Sequence, residues 1–293
     1  MASSFAALAM PHFVSWEGVF PPRGGEGGYT FFHQGMIEPF AGTIRPFGAP
    51  TAQGQHLSIS GHHMLFAIFG TSFGGNGRNE FRLPNLEGRV AVGGSPVGKE
   101  GPQTLALTWL IAASKSDMPF AGTLIAFGGS YVPDGWLAAD GSLLPISSNR
   151  SLFDAIGTTY GGDGVKDFAL PDLKDAAPVG AGRGPGLPPV ELGQKMSGEV
   201  PRLGLNYLIC TSGMYPPSDG KGDLPSRDSY YGQVIAFAGA KAPSGWALCD
   251  GALLSILDNM PLYSMIGDRY GGDGQKTFAL PDLRGRMLMG PEY

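Results

Sequence analysis

Four aspartates stand beside glycine-rich stretches of this chain: Asp163 and Asp172, then Asp273 and Asp282. Oxygen ligands at a tight turn are what a hard cation such as Ca²⁺ selects. The calcium loop D-x-[DN]-x-[DN]-G is absent, however, and an aspartate after Gly-Gly is ordinary turn chemistry. A structural role is therefore the expectation for Asp163 and Asp273, and no metal is expected. His62 and His63 are adjacent, with His56 shortly before them. Neighbours on a helix point to different sides, unlike the i, i+4 pair of a zinc helix, so these histidines are read as exposed. Gly161-Gly162-Asp163-Gly164 lacks the Lys-Ser/Thr of a phosphate-binding loop, and no G-x-S-x-G elbow is present to activate a serine. No enzyme activity and no cofactor are expected.

Four side chains complete the candidates. Trp136 and Trp246 read as buried anchors, with a sugar-stacking platform as the alternative. Arg284 and Arg286 read as partners in ion pairs between modules, with Asp282 or Asp172 in reach, or as contacts to anionic glycans. Cys210 and Cys249 are too few for a disulfide framework and read as small buried hydrophobes.

These residues recur because the stretch that carries them recurs. Leu144–Leu173 reappears 110 residues on as Leu254–Leu283, and 87 residues back as Leu57–Leu86, where 14 of 30 positions are identical to the middle copy. Gly122–Gly180 and Gly232–Gly290 match at 30 of 59 positions without a gap, so the chain is read as three modules. In each copy an asparagine, Asn149 or Asn259, stands at the start of a short helix as its expected cap. Leu152, Phe153 and Ile156 follow at helical spacing, and Gly157 ends it. A helix of about two turns cannot persist alone and must be held by packing. A glycine loop and a short strand, Phe168-Ala169-Leu170, stopped by Pro171, complete the unit.

The modules are expected to open on strands at Phe40-Ala41-Gly42-Thr43-Ile44, Phe120–Leu124 and Tyr231–Ile235. Trp136 and Trp246 are each expected to anchor a hairpin. The first copy reads as seven residues shorter and without the Trp loop. A strand follows the second copy at Leu205–Pro217 and the first at Leu107–Ser114, whereas none follows the third. His12–Pro22 aligns with Tyr207–Pro217, which predicts that the amino-terminal region completes the third module and closes a ring about a pseudo-threefold axis. The expected boundaries are 1–39 for that strand region, 40–118 and 119–230 for the first two modules, and 231–293 for the third. Gly182–Pro189 is read as a mobile surface loop, and Pro216–Ser229 as another. The fold class is β-rich α+β.

A net charge of −5 without a basic run argues against nucleic acid and anionic membrane surfaces, and no apolar stretch reaches the length of a membrane span. The start, MASSFAALAMPHF, lacks the basic residues of a secretory signal, so synthesis in the cytoplasm and release with an assembled particle is the expectation.

Gly245-Trp246, Cys249-Asp250-Gly251, Tyr270–Gly274 and Leu280–Arg286 together resemble the phage tail collar domain, and the microcystin-dependent proteins that carry it. The similarity is closest over Tyr231–Gly290, good over Phe120–Gly180 and degenerate over Phe40–Gly93. Lys174-Asp175-Ala176 and Glu87-Gly88-Arg89 depart from Arg284-Gly285-Arg286. The resemblance implies a non-catalytic component of a phage tail, tail-like particle or surface fibre that supports host attachment. Its implied partners are other tail or fibre proteins, with cell-surface glycan as a further ligand class. A stand-alone carbohydrate-binding protein is the alternative reading, and a surface-polysaccharide hydrolase ranks below it. Relatives with one such domain are expected to trimerise, so three copies in one chain predict a monomer able to cap a threefold axis.

Overall fold

The computed structural model describes residues 5–15, 34–42, 49–94, 103–113, 120–213 and 229–291. The expected strand residues Trp16–Pro22 and Thr43-Ile44, and most of the loop 216–229, lie outside them. Among the described residues, no helix is long and apolar enough to cross a membrane.

Each repeat builds the same small unit. A two-stranded hairpin (His56–Ser58 with Glu80–Arg82, Leu143–Pro145 with Asp167–Ala169, Leu253–Ser255 with Thr277–Ala279) carries a seven-residue helix between its strands: His63–Phe69, Arg150–Ile156 and Met260–Ile266. One apolar stripe of each helix is buried: Leu65, Ile68 and Phe69, then Leu152 and Ile156, then Leu262, Met265 and Ile266. An aromatic from the helix meets a fully buried phenylalanine of the hairpin at 5.5, 5.5 and 5.4 Å (Phe66–Phe81, Phe153–Phe168, Tyr263–Phe278). Burying such a ring contributes roughly 2–3 kcal/mol, which is what holds so short a helix in place. Gly70, Gly157 and Gly267 end the helices, their N–H groups bonded to the carbonyls of Phe66, Phe153 and Tyr263.

Asn149 and Asn259 occupy the expected cap positions but do not cap as expected. Their Nδ2 groups donate backwards to the carbonyls of Pro145 and Ser255, each at 3.0 Å, rather than accepting from the helix. The preceding hairpin strand ends there with a free carbonyl, and the amide satisfies it. His62 does the same in the first copy, Nδ1 lying 3.3 Å from the Ser58 carbonyl.

Three opening strands, Met36–Pro39, Thr123–Phe127 and Val234–Phe237, join the units. They pair antiparallel in a cycle: Met36 with Phe127, Thr123 with Phe237, and Gln233 with Phe40. The same bond recurs three times, from Gly128 N to Gly35 O at 2.9 Å, Ala238 N to Gly122 O at 3.0 Å and Ala41 N to Gly232 O at 2.9 Å. The three modules are therefore related by a pseudo-threefold axis. A second cycle is made by the closing strands Val90–Gly93, Ala177–Gly180 and Met287–Met289, where Gly93 bridges Lys174, Gly180 bridges Arg284 and Gly290 bridges Glu87. A Cβ on these glycines would lie 1.7, 1.8 and 2.2 Å from the carbonyl oxygens of Leu173, Leu283 and Leu86, so only glycine lets the backbones meet.

Bridging strands tie the two cycles together. Thr104–Ala112 runs parallel to the first closing strand, then antiparallel to the second opening strand. Arg202–Cys210 repeats this between the second and third modules. The amino-terminal segment is the third bridge: Ala7–Ala9 runs parallel to Met287–Met289, and His12–Val14 antiparallel to Met36–Pro39. The strand lacking after the third copy is thus supplied from the other end of the chain, and it grips the first module as well as the third.

Three further expectations are corrected. Trp136–Ala138 and Trp246–Leu248 pair antiparallel with the bridging strands Thr104–Ala112 and Arg202–Cys210 rather than closing a hairpin of their own. The first copy does not open at Phe40, and it is not shorter. Met36–Pro39 takes the place of Thr123–Phe127, Gly35 takes that of Gly122, and Ala49 stands where Trp136 and Trp246 stand, with no deletion. Phe40-Ala41-Gly42 imitates Phe120-Ala121-Gly122 in sequence alone. The loop after Gly180 is also fixed rather than mobile. Gly182 and Val190 exchange hydrogen bonds of 2.7 and 3.0 Å, and a Cβ on Gly184 would fall 2.2 Å from the Arg284 carbonyl, so the loop is folded down on the third module.

Candidate functional site

Asp163 and Asp273 organise the glycine loops from within. Asp163 Oδ1 accepts from the backbone N–H groups of Lys166 (2.7 Å), Val165 (2.8 Å) and Asp167 (3.1 Å), and Asp273 Oδ1 from those of Lys276, Thr277 and Gln275 at 2.7, 2.8 and 2.9 Å. The N–H groups of Thr277, Lys276 and Gln275 stabilise the ionised carboxylate and hold Asp273 at about 2, and Asp163 is lowered for the same reason. Asn76 accepts the corresponding bonds in the first copy, and an amide oxygen does this as well as a carboxylate. The second glycine of each loop is equally constrained. A Cβ on Gly75, Gly162 or Gly272 would sit 2.5, 2.4 and 2.5 Å from the Cα of Phe81, Phe168 and Phe278.

Arg284 grips its own module. Its Nε and one terminal nitrogen each donate to Asp282 at 2.9 Å, and Arg286 donates to the Asp282 carbonyl at 3.0 Å. Among the described residues both arginines pair with Asp282 of their own module rather than across modules, and Asp172 is paired with Lys195 at 2.8 Å. Across the seam, the Arg284 backbone bridges Gly180 and its aliphatic stem packs on Gly182. Trp136 is 5 % exposed and lies in the core, so it presents no face to a ligand. Trp246 is half-buried, its ring edge-on to Phe120 at 5.8 Å. Cys210 and Cys249 are free and buried, and burial pushes the Cys210 thiol up to about 12.

The structure adds residues that the repeat pattern alone did not single out. Tyr160 reaches from the second module to donate to the Ala238 carbonyl of the third at 2.8 Å, and Tyr270 from the third to Ala41 of the first at 3.1 Å. Phe73 replaces this tyrosine in the first copy. At the seam between the first and second modules a groove of about 230 Å³ is lined by Trp109, Ser130, Asp140 and Lys174 among others. On the axis, a cavity of about 30 Å³ is lined by His12, Glu38, Trp109 and Tyr207 together with apolar side chains. His12 and Glu38 were legible as anomalies: in register, Trp109 and Tyr207 stand where His12 stands, and Ile125 and Ile235 where Glu38 stands. That register required the correct opening strand. Among the described residues, no group of three His, Cys, Asp or Glu side chains is placed to hold a metal ion.

No curated protein and no solved structure matches the chain. The family model described as Phage Tail Collar Domain matches three times, over residues 35–91, 122–178 and 232–288. Each match begins at the glycine that precedes an opening strand and ends in a closing strand, so each spans one structural module from one cycle to the other. Together they cover more than half of the sequence, and the chain belongs to the phage tail collar domain family.

Proposed function

We propose that the protein is a non-catalytic component of a phage tail or tail-like particle, seated on its threefold axis as one chain in place of three. The carrying observation is the pair of closed cycles, Met36–Phe127, Thr123–Phe237 and Gln233–Phe40 in one layer, and the bridges of Gly93, Gly180 and Gly290 in the other. A chain that satisfies threefold pairing internally presents threefold geometry to a neighbour without needing copies of itself. The expected module boundaries, 40–118, 119–230 and 231–293, become 35–93, 122–180 and 232–290 in this reading, with the bridging strands shared between neighbours. Immunogold labelling of particles from the native producer is expected to decorate the tail at a single axial position. Recovery of the protein only in particle-free fractions would overturn the reading.

A stand-alone carbohydrate-binding role is favoured by one feature, the seam groove. Trp109 supplies an aromatic surface there, with Asp140, Lys174 and Ser130 as hydrogen-bonding groups, a combination suited to a sugar ring. Retention of the purified chain on a glycan array, lost in Asp140→Ala, would support it.

A further inference from the structure

We propose that the cavity on the pseudo-threefold axis is a built site for internal water, in which one or two molecules are held by His12 Nδ1, Glu38 Oε1 and Trp109 Nε1. The site rests on a mismatch between symmetry and chemistry. Three bridging-strand residues converge here, His12, Trp109 and Tyr207, and three opening-strand residues, Glu38, Ile125 and Ile235. Tyr207 is satisfied within the chain, its hydroxyl donating to the Pro178 carbonyl at 3.2 Å. His12 Nδ1, Glu38 Oε1 and Trp109 Nε1 have no accessible surface and no hydrogen-bond partner, and no other polar side-chain atom of the lining residues is left in that state.

The three atoms make complementary demands. His12 is 7 % exposed, and its ring is kept neutral by burial, with a backbone hydrogen bond at Met10. Nδ1 then offers a lone pair. Trp109 Nε1 can only donate. Glu38 accepts a hydrogen bond from Gln233 Nε2 at 2.9 Å on its Oε2, and Ser15 also bonds the carboxyl; burial outweighs both and favours the protonated acid, which leaves Oε1, without a partner of its own, able to donate or accept. An anion would find no positive charge, and a cation no ionised ligand. An apolar guest would leave all three atoms unpaired, at a cost that buried polar groups rarely bear. Water can donate to His12, accept from Trp109 and exchange with Glu38, the usual complement of about three hydrogen bonds for an internal molecule. The volume of about 30 Å³ is enough for roughly one or two, since each needs about 10–15 Å³ of this space.

The test is a high-resolution crystal structure of the full chain, together with oxygen-17 relaxation dispersion in H₂¹⁷O on the wild type and on Glu38→Ile, which restores the residue of the other two modules. Expected are density for water within hydrogen-bond distance of His12 Nδ1 and Glu38 Oε1, and a dispersion amplitude lower by at least one long-lived water in the variant. A dry cavity, density for any larger molecule, or equal amplitudes in the two folded proteins would each overturn the proposal. Should Glu38→Ile fail to fold, the wild-type density alone decides, water on those atoms supporting the site and its absence refuting it.

Discussion

At the scale of single residues, close approach decides more than composition. Gly162 and Gly272 have φ of 92° and 98°, and a Cβ there would meet Phe168 or Phe278 backbone at 2.4–2.5 Å. Gly272→Ala is expected to cost about 3 kcal/mol or more, read as a lower urea midpoint, because neither backbone can yield without breaking the phenylalanine's packing. The axial pair makes the opposite kind of prediction, one in which pH does the work. Burial pushes Glu38 from an ordinary 4.5 up to about 8 and His12 from 6.5 down to about 4, and among the described residues Tyr207 is the only other titratable side chain lining the cavity. Glu38 as a residue keeps some exposure, but its Oε1 has none, and that seclusion sets the direction. Between 4.5 and 8 the native state holds a proton on Glu38 that the unfolded chain has lost, so this residue lowers stability as pH rises. Between 6.5 and 4 the unfolded chain binds a proton that native His12 refuses, so His12 lowers stability as pH falls. The two slopes offset from about 4.5 to 6.5. Above 6.5 only Glu38 acts, and about 1–2 kcal/mol should be lost by pH 8. Urea unfolding at pH 6.5 and 8 checks this, and Glu38→Gln should remove the difference. Equal losses in both proteins would refute the assignment to Glu38.

At the scale of elements, the amino-terminal bridge is the part whose removal tells most. It is held by Met287 N to Ala6 O at 3.1 Å, Met10 N to Met289 O at 2.9 Å, Val14 N to Pro50 O at 2.9 Å and Ala52 N to His12 O at 2.8 Å, and it buries Met10, Phe13 and Val14. At roughly 2 kcal/mol for each buried side chain, deleting residues 1–15 should cost on the order of 5 kcal/mol. A synthetic peptide of residues 1–15, added in trans, should restore part of the lost melting temperature, because both edges it bridges remain. Unchanged melting of the truncated chain would show that the strand contributes nothing to closure. This element was legible because Tyr207–Pro217 and His12–Pro22 share a pattern of apolar residues ending in Pro-Pro. The helix and hairpin of each module were legible for a similar reason: local spacing and a terminating glycine specify them without reference to the rest of the fold. Two features were not legible. The first opening strand was misplaced because Phe40-Ala41-Gly42 repeats the letters of Phe120-Ala121-Gly122, while the true counterpart, Gly35, is identified by the strand it precedes. The loop after Gly180 was misjudged because glycine and proline content reports freedom to turn. It does not report that Gly184 lands against the Arg284 carbonyl.

At the scale of the whole molecule, the cyclic pairing bears on oligomeric state. Three separate chains with one module each would have to pair opening strand to opening strand across subunit boundaries, and closing strand against neighbouring backbone. Here all of those edges are taken within one chain, and the three seams have been free to differ. One carries an open groove by Trp109 and Asp140, and the next is covered by the loop from Gly182 to Val190. Identical subunits could not differ in this way, since a closed ring of copies repeats one interface. A substitution at one seam therefore acts once rather than three times. Gly180→Ala, whose Cβ would fall 1.8 Å from the Leu283 carbonyl, should open the seam between the second and third modules and leave the other two paired. Hydrogen exchange should then quicken at Gly285 and Gly180 while the equivalent amides at Gly88 and Gly290 keep their protection. The intact protein should run as a single chain of 30.6 kDa by light scattering at micromolar concentration. A stable particle of three times that mass would mean that whole chains pair through surfaces outside the two cycles, and the single-chain occupant of a threefold axis would have to be given up.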